Sequence, residues 1–366
     1  MNDITIWRNT KYLTEQIRLF SLDLSGLTVY TELGWGNYAF PPLIAALANA
    51  KKVYAITRTS RFGTADVIVT DFRHILDCVN LPEKTGVIEV VQERNKKHWK
   101  EADIITNLGF VRPIDKEMIS CLKPTAVVSL MYETWEYRKE DIDLDWCRKN
   151  DILVLGLNEE CPPVDMMKYS GYLVCKLLFE RGLGVHKDTI LLIGSGRIGN
   201  NIADFFRING VDFSWICLDG RVRSENAGFV QTAEYIRGNL ETFDAIILAE
   251  MYHNQELIGN NGLITTLELS EKNPSVQLIH ICGNIDYSAI KTENLEIYPE
   301  PVMPFGYMTV SVNHLDYKAT MQLLTAGLKV GEIMARNRLH QDFITSYKQS
   351  IKNPLVDDFK GGFIIC

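Results

Sequence analysis

The stretch Ile190-Leu191-Leu192-Ile193-Gly194-Ser195-Gly196-Arg197-Ile198-Gly199 decides the fold. A short apolar strand runs directly into G-x-G-x-x-G. Asn200–Asn209 then carries Ile202, Phe205 and Phe206 at helical spacing, Gly210 ends that helix, and Val211–Leu218 reads as the next strand. In this strand–turn–helix–strand setting the motif is a dinucleotide-binding fingerprint. Gly194 permits the tight turn, Gly196 lets backbone approach a diphosphate, and Gly199 lets helix and strand pack closely. The helix N-terminus offers amide N–H groups and partial positive charge to the anion, through Ser195, Arg197 and Ile198 as well as the glycines. Asp219 ends the second strand, where a carboxylate accepts from a ribose diol and repels a 2′-phosphate, which favours NAD. Arg221 and Arg223 follow at once and suit a 2′-phosphate, so NADP stays open.

Outward from this motif, apolar runs alternate with helical stretches along the chain. Strands are expected at Leu27–Leu33, Lys52–Thr57, Gly86–Val91, Ala102–Leu108, Thr125–Leu130 and Ile152–Leu157. Helices are expected between them at Pro41–Ala50, Ala65–Cys78, Asp115–Leu122 and Asp141–Lys149. The rhythm restarts at Thr189–Ile193 and continues through Phe213–Leu218, Ala245–Ala249, Gln277–Ile281 and Leu295–Tyr298. Strands separated by helices mean βαβ units, hence an α/β protein of two doubly wound parallel sheets. Pro162-Pro163 introduces a long helix read over Val164–Glu180, and Asp316–Asn337 reads as a second one that returns to the first half. The expected domains are therefore 1–163 plus 316–366, a substrate domain, and 164–315, a dinucleotide-binding domain. Two crossing helices imply a cleft that closes about them. The tail ending Gly361-Gly362-Phe363-Ile364-Ile365-Cys366 is apolar enough to dock on another surface, with a second subunit as the expected one.

Composition narrows the partners. The 366 residues are 46% hydrophobic and 23% charged, which suits a folded two-domain protein. Apolar runs are too short to span a bilayer, and the acidic, apolar-poor N-terminus does not read as a secretory signal. Lys and Arg number 38 against 46 Asp and Glu, a net charge of −8 with no long basic run. Nucleic acid and anionic membranes are poor partners, and a small molecule is the expected one. The eight cysteines form no C-x-x-C pair, so reduced cytoplasmic thiols are expected in place of a disulfide frame or metal site.

The layout resembles the D-2-hydroxy acid dehydrogenase superfamily, including formate and glycerate dehydrogenases. S-adenosylhomocysteine hydrolase and alanine dehydrogenase share that architecture in outline. The resemblance covers roughly residues 100 to 335 and rests on Asp141-Ile-Asp143-Leu-Asp145, Asn150-Asp-Ile-Leu-Val-Leu-Gly156-Leu-Asn158 and Gly194-Ser-Gly196-Arg-Ile-Gly199. It implies a flavodoxin-like substrate domain, a Rossmann domain binding NAD(P), and a homodimer paired through the Rossmann half. The departures bear on chemistry. Where the family carries Ala-Arg-Gly with its catalytic arginine, this chain reads Ile281-Cys282-Gly283. Glu300-Pro301 comes too soon to take the glutamate's role, and Pro304-Phe-Gly-Tyr stands in place of the Pro-His. The hydrolase's cysteine, threonine and paired-glutamate motif has no match either. The resemblance therefore implies scaffold and dinucleotide, and leaves the substrate unnamed.

The first domain holds another strand, glycine loop and helix. Thr28–Leu33 leads into Gly34-Trp35-Gly36-Asn37-Tyr38. Glu32-Leu-Gly34-Trp-Gly36 faintly resembles the first motif of the S-adenosylmethionine methyltransferases. The next strand, however, ends Thr57-Arg58-Thr59-Ser60-Arg61, and two arginines facing a helix N-terminus suit an anion. Gly34, Trp35, Gly36, Asn37, Arg58 and Asn107 are thus the expected substrate contacts, the last because ligands bind at strand carboxyl ends. Glu133 and Glu159 occupy similar loops and are the expected acid/base pair, since an apolar cleft raises a carboxyl's pKa toward neutrality. His253, after the strand Ala245–Ala249, is the expected catalytic histidine; His280 reads as a core residue. The activity expected is hydride transfer between NAD(P) and a small anionic hydroxy or oxo compound. The alternatives are tightly bound NAD used without net redox change, and a non-catalytic dinucleotide sensor.

Overall fold

The computed structural model describes residues 2–61, 63–80 and 82–364. In chain order the strands are β1 (Thr28–Glu32), β2 (Lys52–Ile56), β3 (Ile88–Val91), β4 (Ile104–Thr106), β5 (Val127–Ser129), β6 (Leu153–Leu157), β7 (Thr189–Gly194), β8 (Asp212–Ile216), β9 (Ala245–Ala249), β10 (Glu256–Gly259), β11 (Ile264–Thr265), β12 (Gln277–Cys282), β13 (Asn284–Ile285), β14 (Glu296–Tyr298) and β15 (Val356–Asp357). The α-helices are α1 (Asp3–Leu19), α2 (Phe40–Leu47), α3 (Ala65–Val79), α4 (Pro82–Thr85), α5 (Lys96–Glu101), α6 (Lys116–Ile119), α7 (Leu144–Lys149), α8 (Ser170–Glu180), α9 (Gly196–Ile208), α10 (Ala233–Gly238), α11 (Thr266–Lys272), α12 (Tyr287–Thr292), α13 (Tyr317–His340) and α14 (Phe343–Ser350). The chain divides into two compact units, Met1–Asp165 with Tyr317–Cys366, and Met166–Asp316.

Unit 1 is built on a sheet ordered β15-β6-β5-β4-β1-β2-β3. Its first six strands are parallel, and β15 pairs antiparallel with β6. Read from β3, the parallel run β3-β2-β1-β4-β5-β6 has the doubly wound order 3-2-1-4-5-6 in place of the flavodoxin-like 2-1-3-4-5. The order reverses between β1 and β4, so the loops after those two strands diverge and leave a crevice. Helix α13 crosses the sheet closely because Gly327 and Gly331 lie against Met131 and Ile104. The Gly327 carbonyl accepts from Ser129 Oγ at 2.7 Å. The tail folds onto its own unit: Phe363 is buried, and its carbonyl accepts from Arg148 Nε at 2.8 Å. Ile365 and Cys366, the end of the apolar tail singled out above, lie outside the described residues.

Unit 2 holds a parallel five-stranded sheet ordered β14-β12-β9-β7-β8. Counted from its own first strand this is 2-1-3-4-5, with the switch between β7 and β9. A small sheet β11-β10-β13, which the sequence pattern does not announce, flanks it.

Three further departures have physical causes. The helix read from Val164 begins at Ser170, after a 3-10 turn at Met167–Tyr169. Val164 and Met166 are buried, but their segment is a turn closed on the Cys161 carbonyl by the amides of Val164 (2.7 Å) and Asp165 (3.0 Å). Helix α1 escapes the apolar pattern because two of its four buried positions, Asn9 and Gln16, are polar. The helices expected at Asp115–Leu122 and Asp141–Lys149 shorten to α6 and α7, each starting after an aspartate cap, Asp115 and Asp143. Among the described residues no helix is long and apolar enough to cross a membrane.

Candidate dinucleotide site and the carboxyl edge of unit 1

The glycine turn of unit 2 is fixed by steric exclusion. Gly194 pairs with Ala249 across β7 and β9, and a Cβ on it would sit 2.4 Å from the Ala249 carbonyl oxygen. A Cβ on Gly199 would lie 2.8 Å from the Gly194 oxygen, so the first turn of α9 rests directly on the strand. Gly196 has φ +60°, in the left-handed region that favours glycine. The Gly194 carbonyl also accepts from Trp215 Nε1 at 2.7 Å, which pins β7 to β8. Ser195 is the N-cap, yet its side chain makes no capping bond. Its Oγ accepts instead from the Leu218 amide at 3.0 Å, so no side chain of the cap competes for the amides that open α9. The ring of Tyr252 lies on the turn, with Cε2 2.2 Å from where a Gly196 Cβ would stand, and the residue is 54% exposed.

Asp219 follows β8, with its carboxylate held in place. Oδ1 accepts from the Arg221 amide at 2.9 Å and from Cys217 Sγ at 3.2 Å, while Oδ2 faces Arg221 Nε at 3.6 Å. Burial pushes its carboxyl up, but the Arg221 amide, the Cys217 thiol and the charges of Arg221 and His253 outweigh burial and hold it below the usual range. Arg223 is committed elsewhere, to Asp204 and Asn201. The backbone of its loop is stapled by Asn200, whose Oδ1 accepts from the Arg223 amide and whose Nδ2 donates to the Arg221 carbonyl. His253 thus belongs electrostatically with Asp219.

Glu250, which sequence reading passed over, is fully buried at the end of β9. Its Oε1 accepts from the amides of Tyr252 (2.8 Å) and His253 (3.0 Å), and Oε2 has no hydrogen-bond partner. It therefore shapes the loop that carries both residues. The signal was present: an acid placed immediately after an unbroken apolar strand. Cys282, where the resembled family has arginine, is buried, and burial with the Glu250 charge pushes its thiol far up. His280 is a satisfied core residue, with Nδ1 2.8 Å from Thr309 Oγ1 and Nε2 3.1 Å from the Gly283 carbonyl. Glu300 is taken by Tyr287 and Lys291.

The glycine loop of unit 1 is internally closed. The Gly34 amide donates to the Tyr38 carbonyl and the Tyr38 amide to the Trp35 carbonyl. Helix α2 begins Phe40-Pro41-Pro42, and two prolines remove amides from its first turn. Gly34, Trp35 and Gly36 line a cavity of about 70 Å³ with Asp71 and Tyr317, room for a few waters. Asn37 lies beside it and donates to Thr320 Oγ1 at 2.9 Å. Glu32 fills the crevice at the switch point: its Oε2 accepts from the Phe110 amide at 3.0 Å, and Oε1 lies 2.4 Å from where a Gly34 Cβ would stand. Burial raises its carboxyl above the usual range despite the Phe110 and Gly109 amides and the Arg112 charge. Asn107 is fully buried, its Oδ1 accepting from the Met131 amide at 2.8 Å and its Nδ2 without a partner. The phenol of Tyr132 lies beside it: burial pushes its pKa up, and the Asn107 side chain offsets part of that rise. Arg58 is half-buried, and its charge reaches the buried Tyr30 phenol.

Glu133 stands after β5, and its Oε2 accepts from Trp135 Nε1 at 2.8 Å. Glu136 follows, and burial with the Glu133 charge pushes its carboxyl up to about 7. The tail braces this turn, since Asp357 Oδ2 accepts from both the amide and hydroxyl of Thr134 at 2.6 Å. Glu159 is buried after β6, on the same carboxyl edge. The structure thus groups Gly194–Gly199, Asp219, Arg221 and His253 in unit 2, and ranges Gly34–Asn37, Arg58, Asn107, Glu133 and Glu159 along the strand ends of unit 1.

No family model matches the sequence, and no curated protein does. Solved structures do. A dipicolinate synthase chain from Bacillus subtilis aligns with a TM-score of 0.55 at 11% identity, over 86% of this chain and 99% of that one. Its counterpart from Bacillus halodurans, also of dipicolinate synthase, gives 0.53 at 13%, over 83% and 96%. The chain shares the fold of these two proteins, two α/β units each built on a mainly parallel sheet. A D-lactate dehydrogenase from Treponema pallidum also matches, with a TM-score of 0.47 at 12% identity over 85% and 97%. At these identities the likeness concerns architecture.

Proposed function

We propose that this chain is an NAD-dependent oxidoreductase acting on a small polar, anionic hydroxy or oxo compound. The observation that carries the reading is the glycine turn, where two positions exclude a Cβ, a third has positive φ, and no side chain caps the helix beyond. That cradle fits a diphosphate. Gly194, Ser195, Gly196, Arg197, Ile198 and Gly199 hold it through backbone, and Asp219 takes a ribose diol on its less engaged oxygen. Arg221, 85% exposed at its side chain, is the group left to meet a 2′-phosphate, which makes NADP the weaker ligand beside the Asp219 charge. When bound, the nicotinamide supplies or accepts hydride.

The chain's own part in the chemistry is to bind and to move a proton. Arg58 and Asn107 Nδ2 offer donors to an anionic substrate, with Gly34, Trp35, Gly36 and Asn37 shaping the first strand's end. Glu133 or Glu159 exchanges the proton, and Glu136 joins them because its carboxyl titrates near neutrality. His253, beside Asp219, serves the same role only for a substrate that reaches the cofactor's ribose end. A homodimer in the cytoplasm completes the reading.

Calorimetry with NADH and NADPH tests it. Micromolar binding of NADH, weaker binding of NADPH, and loss of NADH binding in Asp219→Ala are expected. Absence of heat with both coenzymes overturns the assignment. NADH binding without turnover on any 2-hydroxy or 2-oxo acid would convert it to a dinucleotide sensor.

A further inference from the structure

We propose that Asp3, His74 and Cys78 form a divalent transition-metal site, of the kind zinc occupies, that ties α1 to α3. His74 and Cys78 stand one turn apart on α3, so both side chains leave the same helix face. Asp3 lies in the first turn of α1, which packs on α3, and meets them from the other side. His74 Nε2 is 3.0 Å from Asp3 Oδ1 and 3.9 Å from Cys78 Sγ, and all three donor atoms lie within 4.8 Å of one another. A tetrahedral zinc ion with ordinary bond lengths separates nitrogen from oxygen by about 3.4 Å and nitrogen from sulfur by about 3.6 Å. The nitrogen–oxygen and nitrogen–sulfur pairs therefore need to change only by tenths of an ångström to share one ion, and the oxygen and sulfur lie within 4.8 Å of each other.

The donor set is chemically coherent. Imidazole and thiolate select zinc-like metals over magnesium or calcium, and the carboxylate adds charge that such an ion neutralises. A bare ion pair accounts for Asp3 and His74; a shared ion also gathers the Cys78 thiol, which otherwise makes a long contact to His74 and a hydrogen bond to Asp3. Among the described residues no other group of three or more such side chains brings its donors together this way. Asp3 and His74 are exposed, so solvent supplies the remaining position and the ion exchanges freely. Sequence spacing hides the site, because one ligand comes from a different helix far along the chain. The site lies apart from the glycine turn and does not depend on the reading of it.

Cobalt(II) is the probe, added to the full chain purified with chelator and reductant. One equivalent is expected to produce visible d–d bands and a near-ultraviolet thiolate charge-transfer band, both removed by zinc. Cys78→Ser should lose the charge-transfer band, and His74→Gln should weaken zinc binding more than about tenfold. Zinc should raise the Tm of the wild-type chain and leave Cys78→Ser unmoved, since a ligand of the folded state alone stabilises it. Circular dichroism checks that both variants, at surface positions, stay folded. A cobalt spectrum unchanged in Cys78→Ser, a spectrum without a thiolate band, or a Tm indifferent to zinc overturns the proposal.

Discussion

The two units each place a glycine turn between a parallel strand and a helix, and the two turns are opposites. At Gly194–Gly199 the cap side chain is drawn away to Leu218 and the helix opens with its amides uncapped. At Gly34–Asn37 the loop amides close on the loop's own carbonyls, the helix starts on prolines, and Glu32 occupies the strand end like a built-in anion. Similar glycine patterns therefore differ in their amides: one turn leaves the helix N-terminus uncapped by side chains, the other closes its amides on its own carbonyls. What discriminates them is who holds the neighbouring amides.

The largest expected effect tests why the glycines are there. Gly194→Ala drives a methyl onto the Ala249 carbonyl between paired strands, at a cost of about 3 kcal/mol. Gly36 also has positive φ (+61°), but a Cβ there meets nothing within 4 Å, so Gly36→Ala costs about 1 kcal/mol. Urea unfolding of the two variants measures both. Equal losses would mean that both turns are set by backbone conformation alone.

That contrast also marks how far sequence reading reaches. The strand–turn–helix rhythm gave the α/β class and the strand positions, because apolar runs broken by glycine leave few other arrangements. It placed Gly194–Gly199 at a strand-to-helix turn and Asp219 just after the next strand, because those positions are local to one βαβ unit. It did not distinguish the Gly34 loop from them, since Glu32, Phe110 and Gly109 meet only through the switch point of the sheet. It chose Glu133 and passed over Glu136, whose burial no local pattern reports. Glu250 did carry a local signal, an acid directly after the apolar run Ala245–Ala249, although its burial did not show.

The acids sharpen the comparison. Asp219 is held charged by amides and cations, whereas Glu32 and Glu136 are pushed toward the protonated form by burial. Glu136 binds its proton more tightly folded than unfolded. Between its ordinary value near 4.3 and about 7 the folded chain therefore holds more protons, and stability falls as pH rises through that window. The loss amounts to about 2 kcal/mol after allowance for partial exposure. Glu136→Gln should flatten this slope and be the more stable chain at pH 8. A slope that survives in the variant assigns it to another group.

Asp219→Asn should weaken NADH binding about tenfold, roughly 1.4 kcal/mol, by replacing one strong acceptor with a neutral one. Glu32→Gln, which changes a carboxylate in the closed turn, should leave the NADH Kd unchanged. If the Glu32 variant moved NADH binding as much as the Asp219 variant, the division of labour between the turns would fail.

The smallest effect concerns Tyr252. Its ring lies on Gly196, and the residue is more than half exposed. A diphosphate reaching the Gly196 backbone has to displace the ring and give up its packing contacts. Removing the ring removes that competition, so Tyr252→Ala should tighten NADH binding about threefold, roughly 0.7 kcal/mol. Tyr252→Phe keeps the ring and should match the wild type. The loop itself is held by Glu250 through backbone amides, so neither substitution disturbs its path. Weaker binding in Tyr252→Ala would show that the ring is part of the cradle, packing on the bound coenzyme, and the turn would then be less open than its uncapped helix suggests.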